Sequence, residues 1–341
     1  MTEKPIPIAS LKPGEVPEEL QVKTYFDFRA NPFAHEALFT RPETNSVIAV
    51  IAGIESYARS WLKENIARLA SEAADKSPQA TRPGENVCPT VDKNVCTTMA
   101  SGDPALSGVL TAGRFEVVLE KGAFFKPAAI WGAVDAHKPQ FRIYLSRGAR
   151  VFGANIYLDE GDIFVGENTV IEPGVGIKGP TIIGKANEIR QGTYFRGSCI
   201  TGDGCTLRGE IKNSVLLDKA NFPHPSYLGD SICGYMSHFG NQATAANLGV
   251  FEGIRERHER KNIVLAIGSK AYDLGRSKVG IILGDYSQVG CNSVSDPATF
   301  LRPYTLVYSL TRLAKGFYGP NEIVKNKPQE KGVVERVPFR R

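Results

Sequence analysis

The chain lacks any apolar run near the roughly 20 residues that a membrane-spanning helix needs, and its first seventeen residues are polar and broken by prolines instead of forming a signal-like apolar stretch. A cytoplasmic protein with no membrane partner is expected. Histidine is scarce, with 5 in 341 residues, and the 6 cysteines show no CxxC spacing, so neither a metal cage nor a disulfide framework is indicated. An excess of one charge is also missing. Against 41 Lys and Arg stand 36 Asp and Glu, and the net +5 is too mild for the concentrated basic face of a nucleic-acid binder, although it leaves room for a local anion site. The length exceeds one ordinary core, so two structural regions are expected.

What the chain does have is a beat of six. Val165, Ile171, Ile177, Ile183, Ile189, Phe195, Thr201 and Leu207 follow one another at that interval, all but one of them apolar. Four residues after each comes a small or medium side chain: Thr169, Val175, Thr181, Asn187, Thr193, Cys199, Cys205 and Ile211. The beat returns at Leu283, Val289, Ser295, Leu301 and Val307, with Ser287, Ser293, Thr299 and Thr305 at the corresponding places. A period of six is neither helical nor that of a flat strand; it is the spacing of short strands on a triangular parallel β-helix, one face per hexapeptide. The class is therefore mainly β. Cys199 and Cys205 fall at inward positions, which reads them as reduced core thiols.

The rest of the chain divides around this solenoid. Residues 1–110 read as an N-terminal arm, a long helix and a connector; 111–160 as short β segments capping the solenoid; 161–315 as the β-helix itself; 316–341 as a tail. Within the arm, Val47, Ile51, Ile54, Ala58, Trp61, Ile66 and Leu69 recur at helical spacing between Ser46 and Asp75, with Asn45 or Thr44 available as the cap. Residues 76–105 are rich in Pro, Ser, Thr, Asn and Gly and read as a loop. The runs at 115–119, 141–145 and 154–158 read as strands. A charged stretch interrupts the beat between 250 and 277, and insertions in a solenoid collect on one face, so it is a candidate cover for a binding site.

Between the two regular stretches lie Glu210-Ile211-Lys212-Asn213-Ser214, then Pro223-His224-Pro225-Ser226-Tyr227-Leu228-Gly229-Asp230-Ser231, then Asn247-Leu248-Gly249, then Lys278-Val279-Gly280-Ile281-Ile282-Leu283-Gly284-Asp285. In content and spacing these resemble the acetyltransferase half of the bifunctional enzymes that acetylate glucosamine-1-phosphate and uridylylate the product, together with related sugar-1-phosphate enzymes. The resemblance covers about residues 160–310. It implies a left-handed β-helix, acetyl-CoA as co-substrate, an amino-sugar 1-phosphate as acceptor, and a homotrimer with sites at the seams. It casts His224 as general base and Arg196 and Lys212 as phosphate contacts, with Tyr227 and Asn247 holding the sugar or its amine. Lys278 would close over the phosphate, and Cys291 and Asn292 would lie on the cofactor. His238 departs from the Asn common at its register. The chemistry fits these residue types: a histidine can take the proton of an attacking amine at neutral pH, and fixed cations orient a phosphate.

The nucleotidyltransferase half of such enzymes opens on a glycine-rich phosphate loop. Residues 47–54, VIAVIAGI, lack the Gly-x-Thr-Arg that would follow and fall inside the helical pattern, so nucleotidyl transfer is not expected. Two other classes compete. A zinc hydro-lyase on this fold needs three converging histidines, and His224 and His238 have no third at a matching spacing. A non-catalytic trimeric sugar-phosphate binder or scaffold needs only the fold and the anion contacts.

Overall fold

The structure, a computed structural model, describes residues 4–75 and 97–326. Its centre is a parallel β-solenoid with three faces. Face one is a ten-stranded ladder that begins at Phe124–Lys126, passes through Asn221–Phe222 and His238–Phe239, and ends at Ile323–Val324. Face two runs from Leu110–Ala112 through Gly176–Lys178 and Tyr194–Phe195 to Arg312–Leu313. Face three runs from Phe115–Leu119 through Thr181–Ile183 and Cys199–Thr201 to Gly316–Tyr318. Parallel pairing thus extends beyond the stretch in which the six-residue beat is audible.

The beat works because successive coils present the same position to the same interior. On face three Val165, Ile183, Thr201, Leu216, Cys233, Leu283 and Leu301 stack in register, and all are buried. Each fully buried aliphatic side chain contributes roughly 1.5–3 kcal/mol. The polar +4 positions are buried too, and they are bonded: Asn187 donates to the Thr201 hydroxyl at 3.1 Å and to the Gly202 carbonyl at 2.9 Å. Cys199, Cys205 and Cys233 are buried free thiols, and burial pushes the Cys199 thiol up to about 12.

Face three is not open to solvent. Its outward positions are also apolar, with Ile182, Ile200, Val215, Ile232, Ile282 and Phe300 buried in a second core built with the N-terminal region. That region contains a short helix α1 (Ala37–Thr40) and the long helix α2 (Val47–Asp75). Helix α2 lays Val47, Val50, Ile51, Ile54, Ala58, Leu62 and Ile66 on the face, and Trp61 meets Phe164 edge-on at 5.1 Å. Its cap is Ser46, whose hydroxyl accepts from the Ala49 N–H at 3.2 Å. Asn45 is not free to cap, because its amide holds the Ile8 and Leu11 carbonyls at 3.1 and 2.9 Å. The arm is pinned further along by Asp285, which accepts from Asp27 N–H and from Asn31.

Two segments differ from the sequence reading or refine it. Of the expected loop 76–105, residues 76–96 lie outside the described residues, but Thr97–Ala100 is a strand, antiparallel to Phe115–Leu119. It covers an edge that would otherwise present unpaired backbone groups. The 250–277 insertion folds into a short helix α3 (Val250–Gly253), a 3-10 turn (Arg257–Glu259) and a hairpin of Val264–Ile267 with Lys270–Asp273, whose second strand pairs with Ile6–Pro7.

Candidate functional site

The site begins with two shortened coils. In regular coils the chain turns each corner between faces two and three with four residues from one inward position to the next, as from Phe195 to Cys199. From Ile211 to Ser214, and again from Leu228 to Ser231, the interval is three. Each of the strands Glu210–Leu216 and Tyr227–Cys233 therefore runs straight through the corner and bends at a single residue, Asn213 or Asp230, with φ of 44° and 50°. Asn and Asp tolerate this left-handed backbone better than other non-glycine residues. The cut corner leaves a hollow.

Helix α2 walls that hollow on one side and the insertion roofs it, enclosing a cavity of about 690 Å³. Arg196, Lys212 and Lys278 line it together, although Lys278 lies far along the chain from the other two. Arg59, Arg257, Arg260 and Arg276 line it as well. Asp230 forms its floor: it is buried, accepts from Asn213 Nδ2 at 2.8 Å and from Asn247 Nδ2 at 2.6 Å, and meets the Arg276 guanidinium at 3.3 Å. Crowded cations disfavour further charge. Lys278 is pulled below the ordinary lysine value, first by burial and then by Lys212, with Arg260 and Arg257 adding to the repulsion and Asp230 opposing it. An anion placed there would relieve that repulsion.

The other expected site residues lie outside this cavity. Tyr227 and Asn247 border it: the two side chains hydrogen-bond, and burial raises the Tyr227 phenol. Gly229 lies between them, and a Cβ there would stand 2.7 Å from both the Asn247 amide nitrogen and the Tyr227 hydroxyl, so that these side chains would have to shift. Arg196 reaches the cavity but is paired with Glu210 at 2.6 Å. His224 is exposed on the opposite corner, between faces one and two. His238 is half-buried nearby on face one, and its imidazole is shifted down, chiefly by burial, with a hydrogen bond to the Asn221 backbone opposing and His224 adding repulsion. Cys291 and Asn292 are exposed on the same corner as His224, two coils on, as the backbone bonds Gln242 N–H to Pro225 and Asn292 N–H to Asn241 show. Two coils span roughly 10 Å. The expected residues thus fall on the two edges of face two, with Tyr227 between them.

The sequence reading missed Arg59, Arg276, Asp230 and Asn213. Arg257 and Arg260 belong to the charged run already marked as a possible cover, and the shortened spacing in GEIKNSV and SYLGDSI was a readable sign of the cut corners. Among the described residues no cluster of three or more His, Cys, Asp or Glu could hold a metal ion, and no helix is long and apolar enough to cross a membrane.

The chain is thus a parallel β-solenoid with a cationic cavity at one corner. Its relatives are sugar-1-phosphate enzymes. The chain is 28% identical over 158 residues to a bifunctional sugar-1-phosphate nucleotidylyltransferase/acetyltransferase of Sulfurisphaera tokodaii, covering 40% of this chain and 37% of that protein. It is 32% identical over 162 residues to the bifunctional protein GlmU of Listeria welshimeri (41% and 32%), and 30% identical over 148 residues to that of Thermodesulfovibrio yellowstonii (38% and 31%). The similarity lies in the C-terminal region, and the β-solenoid agrees with the β-helix acetyltransferase part of such enzymes. The chain spans about a third of the length of these relatives. No protein-family model matches it.

Proposed function

We propose that the protein is an acetyl-CoA-dependent N-acetyltransferase of an amino-sugar 1-phosphate, glucosamine- or galactosamine-1-phosphate. The observation that carries this reading is the convergence of Lys212 and Lys278, from separate motifs, on one cationic cavity whose floor, Asp230, is bonded to Asn247. The phosphate sits against those lysines and the sugar lies across face two over Tyr227. That face is about three residues, roughly 10 Å, wide. The 2-amine is carried on the ring carbon next to the one that bears the phosphate and so stays within a few ångström of it. His224 serves as its base with the phosphate drawn toward Tyr227 on the Arg196 and Lys212 side chains, and there takes the proton as the nitrogen attacks the thioester carbonyl. Acetyl-CoA approaches along the corner that carries Cys291 and Asn292, and backbone N–H groups stabilise the oxyanion. His224 has an open side in the single chain, and a homotrimer, with the neighbouring subunit closing the pocket, completes the arrangement.

The test is acetyl transfer from acetyl-CoA to the two amino-sugar 1-phosphates by the full chain. Turnover supports the reading. Tight binding of the sugar phosphate without turnover favours the alternative, a non-catalytic sugar-phosphate binder, which the absence of any hydrogen-bonded carboxylate partner for His224 among the described residues would suit. No binding and no turnover refute both.

A further inference from the structure

The insertion faces the solenoid across the cavity with like charge on both sides. Arg257 and Arg260 reach the cavity from the insertion, at and just after the turn Arg257–Glu259, and Lys212 and Lys278 reach it from the solenoid and its edge. None of the four forms an ion pair among the described residues, whereas the other cations of the lining are each answered by a carboxylate: Arg59 by Glu55, Arg196 by Glu210 and Arg276 by Asp230. The turn is held only from within the insertion. Arg260 Nε donates to the Glu252 carbonyl at 3.2 Å and the Lys261 N–H to the Glu252 carboxylate at 2.8 Å, and among the described residues no hydrogen bond joins residues 257–261 to the solenoid. A phosphate monoester brings about 1.5 to 2 negative charges at neutral pH, so the acceptor leaves roughly half of this cluster unanswered.

We infer that a second anion, inorganic phosphate, binds beside the acceptor between Arg257 and Arg260 of the insertion and Lys278, and clamps the insertion to the solenoid. This rests on the reading of the cavity as an anion site. Room for it is present: the cavity holds about 690 Å³, and in the proposed pose the sugar lies outside it on face two, so that only the acceptor phosphate enters, at Arg196 and Lys212. The protein supplies no carboxylate of its own for the task. Glu256 and Glu259 stand next to the arginines in the sequence, yet both are exposed and neither forms an ion pair among the described residues. The planar guanidinium fork matches two oxygens of a phosphate, and Lys278 adds a point charge. Repulsion across the gap is felt at Lys278, where Lys212, Arg260 and Arg257 all act with burial to disfavour its charge and Asp230 alone opposes them. An anion among these groups offsets that repulsion and gives the turn a partner on the solenoid side.

Equilibrium dialysis of the full chain against glucosamine-1-phosphate and inorganic phosphate, each with its own label, counts the two ligands separately. With glucosamine-1-phosphate saturating, one phosphate per chain should still be bound. Backbone hydrogen exchange across residues 254–262 should then slow about tenfold at a phosphate concentration about ninefold above its Kd, because the insertion must release the anion before it opens. Arg257→Gln combined with Arg260→Gln should remove both the phosphate and the protection while one glucosamine-1-phosphate stays bound, which also shows that the double variant is folded. Arg257→Lys with Arg260→Lys keeps the charge and should keep the phosphate. Phosphate that binds only by displacing the sugar phosphate, or that stays bound after Arg257→Gln with Arg260→Gln, overturns the inference and leaves the anion site standing. Loss of both ligands together in that double variant overturns it too, because the two anions then share one site. If the chain takes phosphate but no glucosamine-1-phosphate, the acceptor reading fails and the double variant still decides the second site. No binding of either ligand to the wild type refutes the anion site as well.

Discussion

Asp230 is the residue whose loss should do most damage for its size. Its carboxylate is 6% exposed and accepts two side-chain amides, Asn213 Nδ2 and Asn247 Nδ2, besides facing the Arg276 guanidinium, which is 28% exposed. Asp230→Asn keeps the shape and tolerates φ of 50°, but one amide N–H₂ must then confront a donor. An unsatisfied buried donor costs roughly 1–3 kcal/mol, and the part-exposed Arg276 pair adds less than about 1 kcal/mol, so the change should cost about 1–4 kcal/mol. Asp230→Ala strips acceptors from both amides and places a residue with no local hydrogen bond in the left-handed region, adding roughly 1–2 kcal/mol of backbone cost. About 4–6 kcal/mol is expected. Equilibrium urea unfolding of the full chain measures both through the midpoint, with the slope unchanged. Both variants should also weaken phosphate binding, because Asn247 and the Arg276 end of the insertion lose their common anchor. A neutral Asp230→Asn, or equal costs for Asn and Ala, would refute the reasoning.

The solenoid was legible because each coil repeats one physical problem. Val165 through Leu207 face the same interior at a fixed interval, and all are buried as that interval requires. The beat fades from Leu207 to Ala245 because three corners are shortened, at 207–211, 211–216 and 228–233, and a period search reads shortened corners as the end of a pattern. The last two of these, between faces two and three, shape the cavity. The coverage of face three was also written in the sequence, in the apolar residues Ile182, Ile200 and Ile282 standing beside the inward ones. A run apolar on both faces of a strand means that both faces are covered. The partners of Lys212 and Lys278 were beyond reach. Arg59 and Arg276 come from α2 and from the return of the insertion, and only the docking of α2 on face three and of the hairpin on Ile6–Pro7 brings them to one place.

Further outcomes follow from the proposed function. His224→Ala should lower kcat by about 10²–10⁴-fold and leave acetyl-CoA affinity nearly intact, whereas Lys212→Ala should raise KM for the sugar phosphate; full kcat in the first variant makes His238 the next residue to test. Light scattering should give three chains, and a monodisperse monomer at micromolar concentration rules out a pocket completed by a neighbour. UTP, magnesium and a sugar 1-phosphate should yield no pyrophosphate with this chain; measurable release would show that the region before the solenoid has been misread. The last expectation concerns pH. Lys278 in the free protein lies below the ordinary lysine value because burial, Lys212, Arg260 and Arg257 outweigh Asp230. A bound phosphate favours the charged amine, so binding is strongest below the free-state pKa of Lys278 and weakens as pH rises through it, an onset earlier than an unperturbed lysine would give. Lys278→Arg keeps its charge throughout this range and should remove the onset while preserving affinity at neutral pH. If phosphate affinity measured by calorimetry falls at the same alkaline pH in wild type and in Lys278→Arg, another group titrates and Lys278 does not hold the anion.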